Sequence, residues 1–158
     1  SKFDEKPMES LFQFALGKPW KEIYNSFQYH LMMEHLIQTD VREVFFRRLN
    51  MKPSTYFSAK NRLKNEGYDI PNIKDKIKEY ADKYKEDSLQ LYIKRYLMDF
   101  GWKEANKRFE QDMFRYLFQQ YGFQRRRLEK ILQISYPNVW MKINELSDSN
   151  ENTMAMYT

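Results

Sequence analysis

The chain contains no cysteine and only four glycines and five prolines in 158 residues. Without thiols it forms neither disulfides nor thiolate metal sites, and a reducing compartment is expected. So few glycines and prolines leave little turn chemistry for an all-β fold with many tight reversals. No apolar run approaches the length of a membrane span, and no basic segment leads into an apolar one. The expectation is a soluble, cytoplasmic protein with no membrane partner. Glycine-rich phosphate loops, HExxH and GxSxG patterns are also missing, and each of those chemistries depends on its spacing. His30 and His35 stand five apart on one predicted helix, hence on different faces, so no metal site is expected from them. The carboxylates fall mostly between lysines on predicted exposed faces. The chain therefore reads as a non-enzyme with no cofactor.

What is present favours helices. Leu, Lys, Glu, Gln and Met are plentiful, and all have good helix propensity. Aromatic residues reach 17%, and they supply large apolar area to a core built from small helical units. The net charge is +5, and residues 87–147 hold 11 basic against 7 acidic side chains, or +4 of it. Positive charge concentrated in this way fits a polyanionic partner.

The chain also repeats itself. Trp20, Lys21, Glu22 and Phe27 recur as Trp102, Lys103, Glu104 and Phe109, each 82 residues later. Gln38 falls on Gln120 by the same shift. After one further residue, Leu49, Met51, Tyr56, Phe57 and Leu63 lie over Leu132, Ile134, Val139, Trp140 and Leu146. Repetition at a fixed offset marks two copies of one structural unit, here of about 60 residues.

Apolar spacing divides each copy into four helices. Copy 1 is expected at 8–16, 19–38, 41–49 and 53–64, with Ser54 serving as a cap near Pro53. In copy 2, Asp87 or Ser88 caps a helix that Gln90 completes as a capping box. Its face is Leu89, Tyr92, Ile93, Tyr96, Leu97 and Phe100, and Gly101 ends it. The next helix turns Ala105, Phe109, Met113, Tyr116 and Leu117 inward and stops at Gly122. A short third helix holds Leu128, Ile131 and Leu132. Ser135 then caps a fourth, with Pro137 in its first turn and Val139, Ile143 and Leu146 inward. The domain reading is unit 1 at 8–65, a linker at 66–86 with an amphipathic helix over 72–86, unit 2 at 87–147, and a disordered tail at 148–158.

The stretch RFEQDMFRYLFQQYGFQRRRLEKILQISYPNVWMKINEL (108–146) resembles the DNA-binding domain of the Fis family (factor for inversion stimulation), which also ends many bacterial enhancer-binding activators. The matching features are a long helix opening Phe-Glu, a glycine-containing turn, a short helix ending IL-x-IS, and a terminal helix ending K-I-x-E-L. Copy 1 carries a weaker form of the same pattern. The resemblance implies an all-α fold: a tandem repeat of a four-helix unit with a C-terminal helix-turn-helix, folded as an intramolecular pseudo-dimer. It further implies a transcriptional regulator that binds double-stranded DNA. Two unlike copies would suit an asymmetric site. The chain departs from the family where an arginine often follows the IS position. Tyr136 stands there in copy 2 and Pro53 in copy 1.

In such a reader the first exposed residues of the fourth helix meet base edges, and neighbouring basic groups meet phosphates. These are Lys52, Ser54, Thr55 and Ser58 in copy 1, with Arg62 and Lys64 further along. In copy 2 they are Ser135, Tyr136, Asn138 and Lys142. Arg125, Arg126 and Arg127 open the third helix of copy 2 as phosphate ligands. The alternative reading is a non-catalytic interaction module that keeps the scaffold and partners another Fis-like or regulatory protein.

Overall fold

The computed structural model of the chain describes residues 8–39, 41–72 and 87–149. Among these residues the secondary structure is helical throughout, with no strand. The segment expected as an amphipathic helix at 72–86 lies, after Asn72, outside the described residues, as does the tail beyond Ser149.

The N-terminal element is α1 (Met8–Leu11) followed by a single 3₁₀ turn, Gln13–Ala15. The continuous helix expected over 8–16 is thus broken at Phe12, which allows Leu11, Phe12 and Ala15 all to face the interior. Gly17, at φ +78°, then reverses the chain into Pro19, a conformation that glycine adopts without steric cost.

Helix α2 (Trp20–Gln38) buries Ile23, Phe27 and Leu31 on one stripe. From Leu31 to Leu36 every side chain is buried, including Glu34 and His35, because neighbours enclose this half of the helix on more than one side. Helix α3 (Arg42–Leu49) fixes Phe45 and Leu49 in the core and ends at a left-handed Asn50. Met51 and an extended Lys52 lead into α4 (Pro53–Asn65). Lys52 occupies its N-cap position without a side-chain hydrogen bond, and Pro53 starts the helix. Ser54 is accordingly inside the first turn and is not the expected cap. Tyr56, Ala59 and Leu63 form the single buried stripe of α4.

The second half opens with α5 (Ser88–Tyr96), held by the expected capping box: Gln90 N donates to Asp87 Oδ1 at 3.0 Å, and Asp87 N donates to Gln90 Oε1 at 2.6 Å. The helix stops at Tyr96 and not at Gly101. A turn through Leu97 buries that leucine, while Tyr96, expected inward, is 41% exposed. Gly101 has a different task from stopping a helix. A Cβ there would stand 3.1 Å from both the Leu49 carbonyl oxygen and Asn50 Cβ, so its bare backbone permits close passage beneath the end of α3. Helix α6 (Trp102–Tyr121) buries Ala105, Phe109, Met113, Tyr116 and Leu117 as the spacing requires, and Gly122 at φ +77° ends it. Helix α7 (Arg125–Leu132) ends at a left-handed Gln133. Helix α8 (Tyr136–Ser149) follows, running two residues past the expected boundary, with Val139 fully buried.

The two long helices run in opposite directions across each other. Trp20 lies 4.4 Å from Phe114, and Gln28 Nε2 donates to Asn106 Oδ1 at 2.9 Å. Between these contacts Phe27 stacks on Phe109, with centroids 3.8 Å apart and planes within 1°. The first helical segment of the chain packs against the second half. Phe12 packs on Tyr92 and Tyr116, and the Tyr121 hydroxyl accepts from Gly17 N at 2.7 Å. Helix α5 lies along α2, where Gln90 Nε2 donates to Glu34 at 3.4 Å and His30 stands 3.7 Å from Asp87. The halves consequently share one continuous hydrophobic core.

Candidate functional site

Helix α4 is fastened to the scaffold along one side only. Its buried stripe packs inward, and Arg62 reaches back to α2, donating to Asn25 Oδ1 at 2.6 Å and to Gln28 Oε1. Lys52, Ser54, Thr55, Ser58 and Lys64 are all exposed. These five expected residues are open to solvent, two of them, Lys52 and Thr55, at the edge that faces α6, whereas the Arg62 guanidinium is engaged by Asn25 and Gln28. Phe57 is 45% exposed on the same helix. The guanidinium of Arg42 lies 5.9 Å from its ring centroid and 5.4 Å from that of Phe46.

On α8, Ser135 and Asn138 flank its first turn and are exposed. The side chain of Tyr136 lies outside what is described, as does that of Trp140. Lys142 is not a free cation. Its Nζ lies 2.9 Å from Glu110 and 3.4 Å from Glu145, with only 20% of the side chain exposed. Burial opposes its charge, but hydrogen bonding and attraction from Glu110 and Glu145 raise its pKa, so Lys142 stays charged and is spent on Glu110.

The three arginines of α7 do not converge. Successive residues on a helix are rotated by about 100°, so three in a row spread over roughly 200°. Arg125 is half-buried, while Arg126 and Arg127 are exposed. Arg127 lies 5.7 Å from the Tyr121 ring centroid. There it borders a cleft of about 530 Å³, together with Leu16, Lys130 and Gln133.

A second cleft, of about 650 Å³, joins the two halves. One wall is the turn and first residues of α4: Asn50, Met51, Lys52 and Thr55. The other is the start of α6: Trp102, Lys103, Asn106 and Lys107, with Tyr24 and Glu110 completing it. The Tyr24 hydroxyl is pushed up to about 12, first by burial and then by the Glu110 charge, so it remains a neutral hydrogen-bond donor at physiological pH. Lys103 and Lys107 were not among the expected site residues. Their i, i+4 spacing places them on one face of α6, but only the approach of residues 50–55 from the other half makes that face a cleft wall.

No described helix is long and apolar enough to cross a membrane. Among the described residues no three His, Asp or Glu side chains gather as metal ligands would. Comparison with protein-family models, curated proteins and solved structures finds no match.

Proposed function

We propose that the chain is a DNA-binding transcriptional regulator made of two tandem Fis-like helix-turn-helix units arranged as an intramolecular pseudo-dimer. The observation that carries this reading is a local geometry found twice. Helix α3 ends on left-handed Asn50, two residues follow, the second of them extended, and α4 begins at Pro53. Helix α7 ends on left-handed Gln133, two residues follow, and α8 begins at Tyr136. The two turns lie 83 residues apart, the same offset that relates Leu49 to Leu132 in the sequence. The pseudo-dimer is supported by the equivalent residues Phe27 and Phe109, which stack on each other where the long helices cross. It is supported too by the packing of Phe12 on Tyr92 and Tyr116 and of α5 along α2.

In this reading α4 and α8 are the reading helices, and their exposed N-terminal turns enter the major groove. Lys52 and the arginines of α7 neutralise phosphates, so affinity falls steeply as salt rises. A second reading, an interaction module that keeps the scaffold and binds a regulatory protein, is favoured by one observation: Arg62 and Lys142 are both engaged internally.

Titration with an A/T-rich duplex at two salt concentrations separates the two. Absence of binding at low salt would end the regulator reading. If the duplex binds, replacing Arg125, Arg126 and Arg127 together with alanine weakens it and flattens the salt slope by up to about 2.7, about 0.9 for each phosphate no longer neutralised. An unchanged slope removes these arginines from the footprint.

A further inference from the structure

We propose that the cleft between the halves is a composite seat for a DNA backbone phosphate, with Lys52 supplied by one unit and Lys103 and Lys107 by the other. The inference rests on the DNA-binding reading and adds to it a contact that no single unit could make.

All three lysines are exposed, and among the described residues none of them meets a carboxylate. Among the described residues the one carboxylate lining the cleft is Glu110, which Lys142 neutralises at 2.9 Å. Glu104, on the same turn of α6, is taken by Arg108 at 3.1 Å. The cleft therefore keeps close to three uncompensated positive charges.

Position narrows the ligand. Lys52 and Thr55 open α4, whose exposed face is the one proposed to enter the major groove, and backbone phosphates line that groove on both sides. A helix seated there carries the cleft to the groove's edge. Flexible ammonium groups suit this contact, because they grip a phosphate as point charges and demand no fixed base geometry.

The seat exists on one side only. The positions equivalent to Lys103 and Lys107 are Lys21 and Asn25. Lys21 is held by Glu66 at 2.6 Å, and Asn25 is buried beneath Arg62. One flank of the bound duplex is thus gripped at the seam between the units, while the other depends on the arginines of α7. This unequal grip sets the orientation of the chain on its DNA.

The test uses the full chain and an A/T-rich duplex. Lys103→Ala/Lys107→Ala is compared with the native chain and with Lys21→Ala. The double variant should lose up to about 8-fold in affinity at 0.1 M salt, with a slope flatter by up to about 0.9, the counterion release of one phosphate contact. Lys21→Ala should change neither quantity, and Lys103→Arg/Lys107→Arg should retain both. Acetylation of the native chain gives a readout free of any substitution: bound duplex should protect Lys103 and Lys107 but not Lys21. Native binding with an unaltered slope in the double variant, or equal acetylation of Lys103 and Lys107 with and without duplex, overturns the seat and leaves the DNA reading standing. A native chain that fails to bind at low salt overturns both, and that failure is visible before any substitution is made.

Discussion

Removing the ring of Phe27 or Phe109 should destabilise the whole molecule and not one half of it. Both side chains are fully buried, and they stack at 3.8 Å where α2 crosses α6. Phe109 also lies against Phe12, Trp20, Tyr24 and Tyr92, drawn from both halves. Truncating a buried phenylalanine to alanine costs about 3–5 kcal/mol, through the transfer energy of the missing ring and the cavity left behind. Phe109→Ala belongs near the top of that range, because its cavity is walled by rigid rings that collapse poorly, and Phe27→Ala belongs lower. With a urea dependence of about 2 kcal/mol per M, each substitution lowers the midpoint by roughly 2 M. The leucine variants are milder and keep the doubly substituted chain folded for a double-mutant cycle. The double should cost less than the sum of the singles, by about 0.5–1.5 kcal/mol for a direct ring pair. Far-UV circular dichroism should report a single transition in every variant. Two transitions, of which Phe27→Ala moves only one, would refute the shared core and mean that the halves fold independently. Strict additivity would refute the stack.

Three further outcomes follow from local geometry. His35 is fully buried, neither ring nitrogen has a hydrogen-bond partner among the described residues, and burial, then the nearby Arg48 charge, lowers its pKa to about 4. The unfolded histidine binds its proton near pH 6.5 and the folded one does not, so stability is lost as pH falls from 6.5 to 4. The full difference is about 3 kcal/mol. His35→Leu should remove that part of the pH dependence in urea titrations without destabilising the chain at pH 7, and an unchanged pH profile would count against it. Gln133 holds φ +54°, which costs a side-chain-bearing residue about 1 kcal/mol, so Gln133→Gly should raise the denaturation midpoint by that equivalent. A lower midpoint instead would show that the glutamine side chain contributes more than its backbone strain. Finally, Lys142→Ala should weaken duplex binding by leaving the Glu110 carboxylate uncompensated in the lysine cleft, and adding Glu110→Gln should restore it. Failure of this rescue in an affinity titration would make Lys142 a direct DNA contact.

Much of the local structure could be read from residue spacing. The stripe Ala105, Phe109, Met113, Tyr116 and Leu117 has helical period and lies buried on α6, and the Asp87–Gln90 pair forms the capping box of α5. Both follow from interactions within a few residues. The errors sit where distant chain segments intervene. Tyr96 kept the apolar spacing but became exposed, because the helix turned at Leu97 to bring Gly101 under the end of α3. Arg62 and Lys142 looked like free surface cations. Their partners, Asn25 and Gln28 for one and Glu110 for the other, lie more than 30 residues away in sequence.

The sequence by itself determined the helical character of the described residues and most of their helix boundaries, because apolar period and caps act over one or two helical turns. It also carried the 82-residue recurrence that pairs Phe27 with Phe109. Only the tertiary structure decided that these two rings would meet, that Phe12 would pack on Tyr92 and Tyr116, and that Lys52 would line one cleft with Lys103 and Lys107. Contacts between residues some 50 to 80 positions apart depend on how whole helices pack, and packing is set by the combined shape of many buried side chains, which no local pattern encodes.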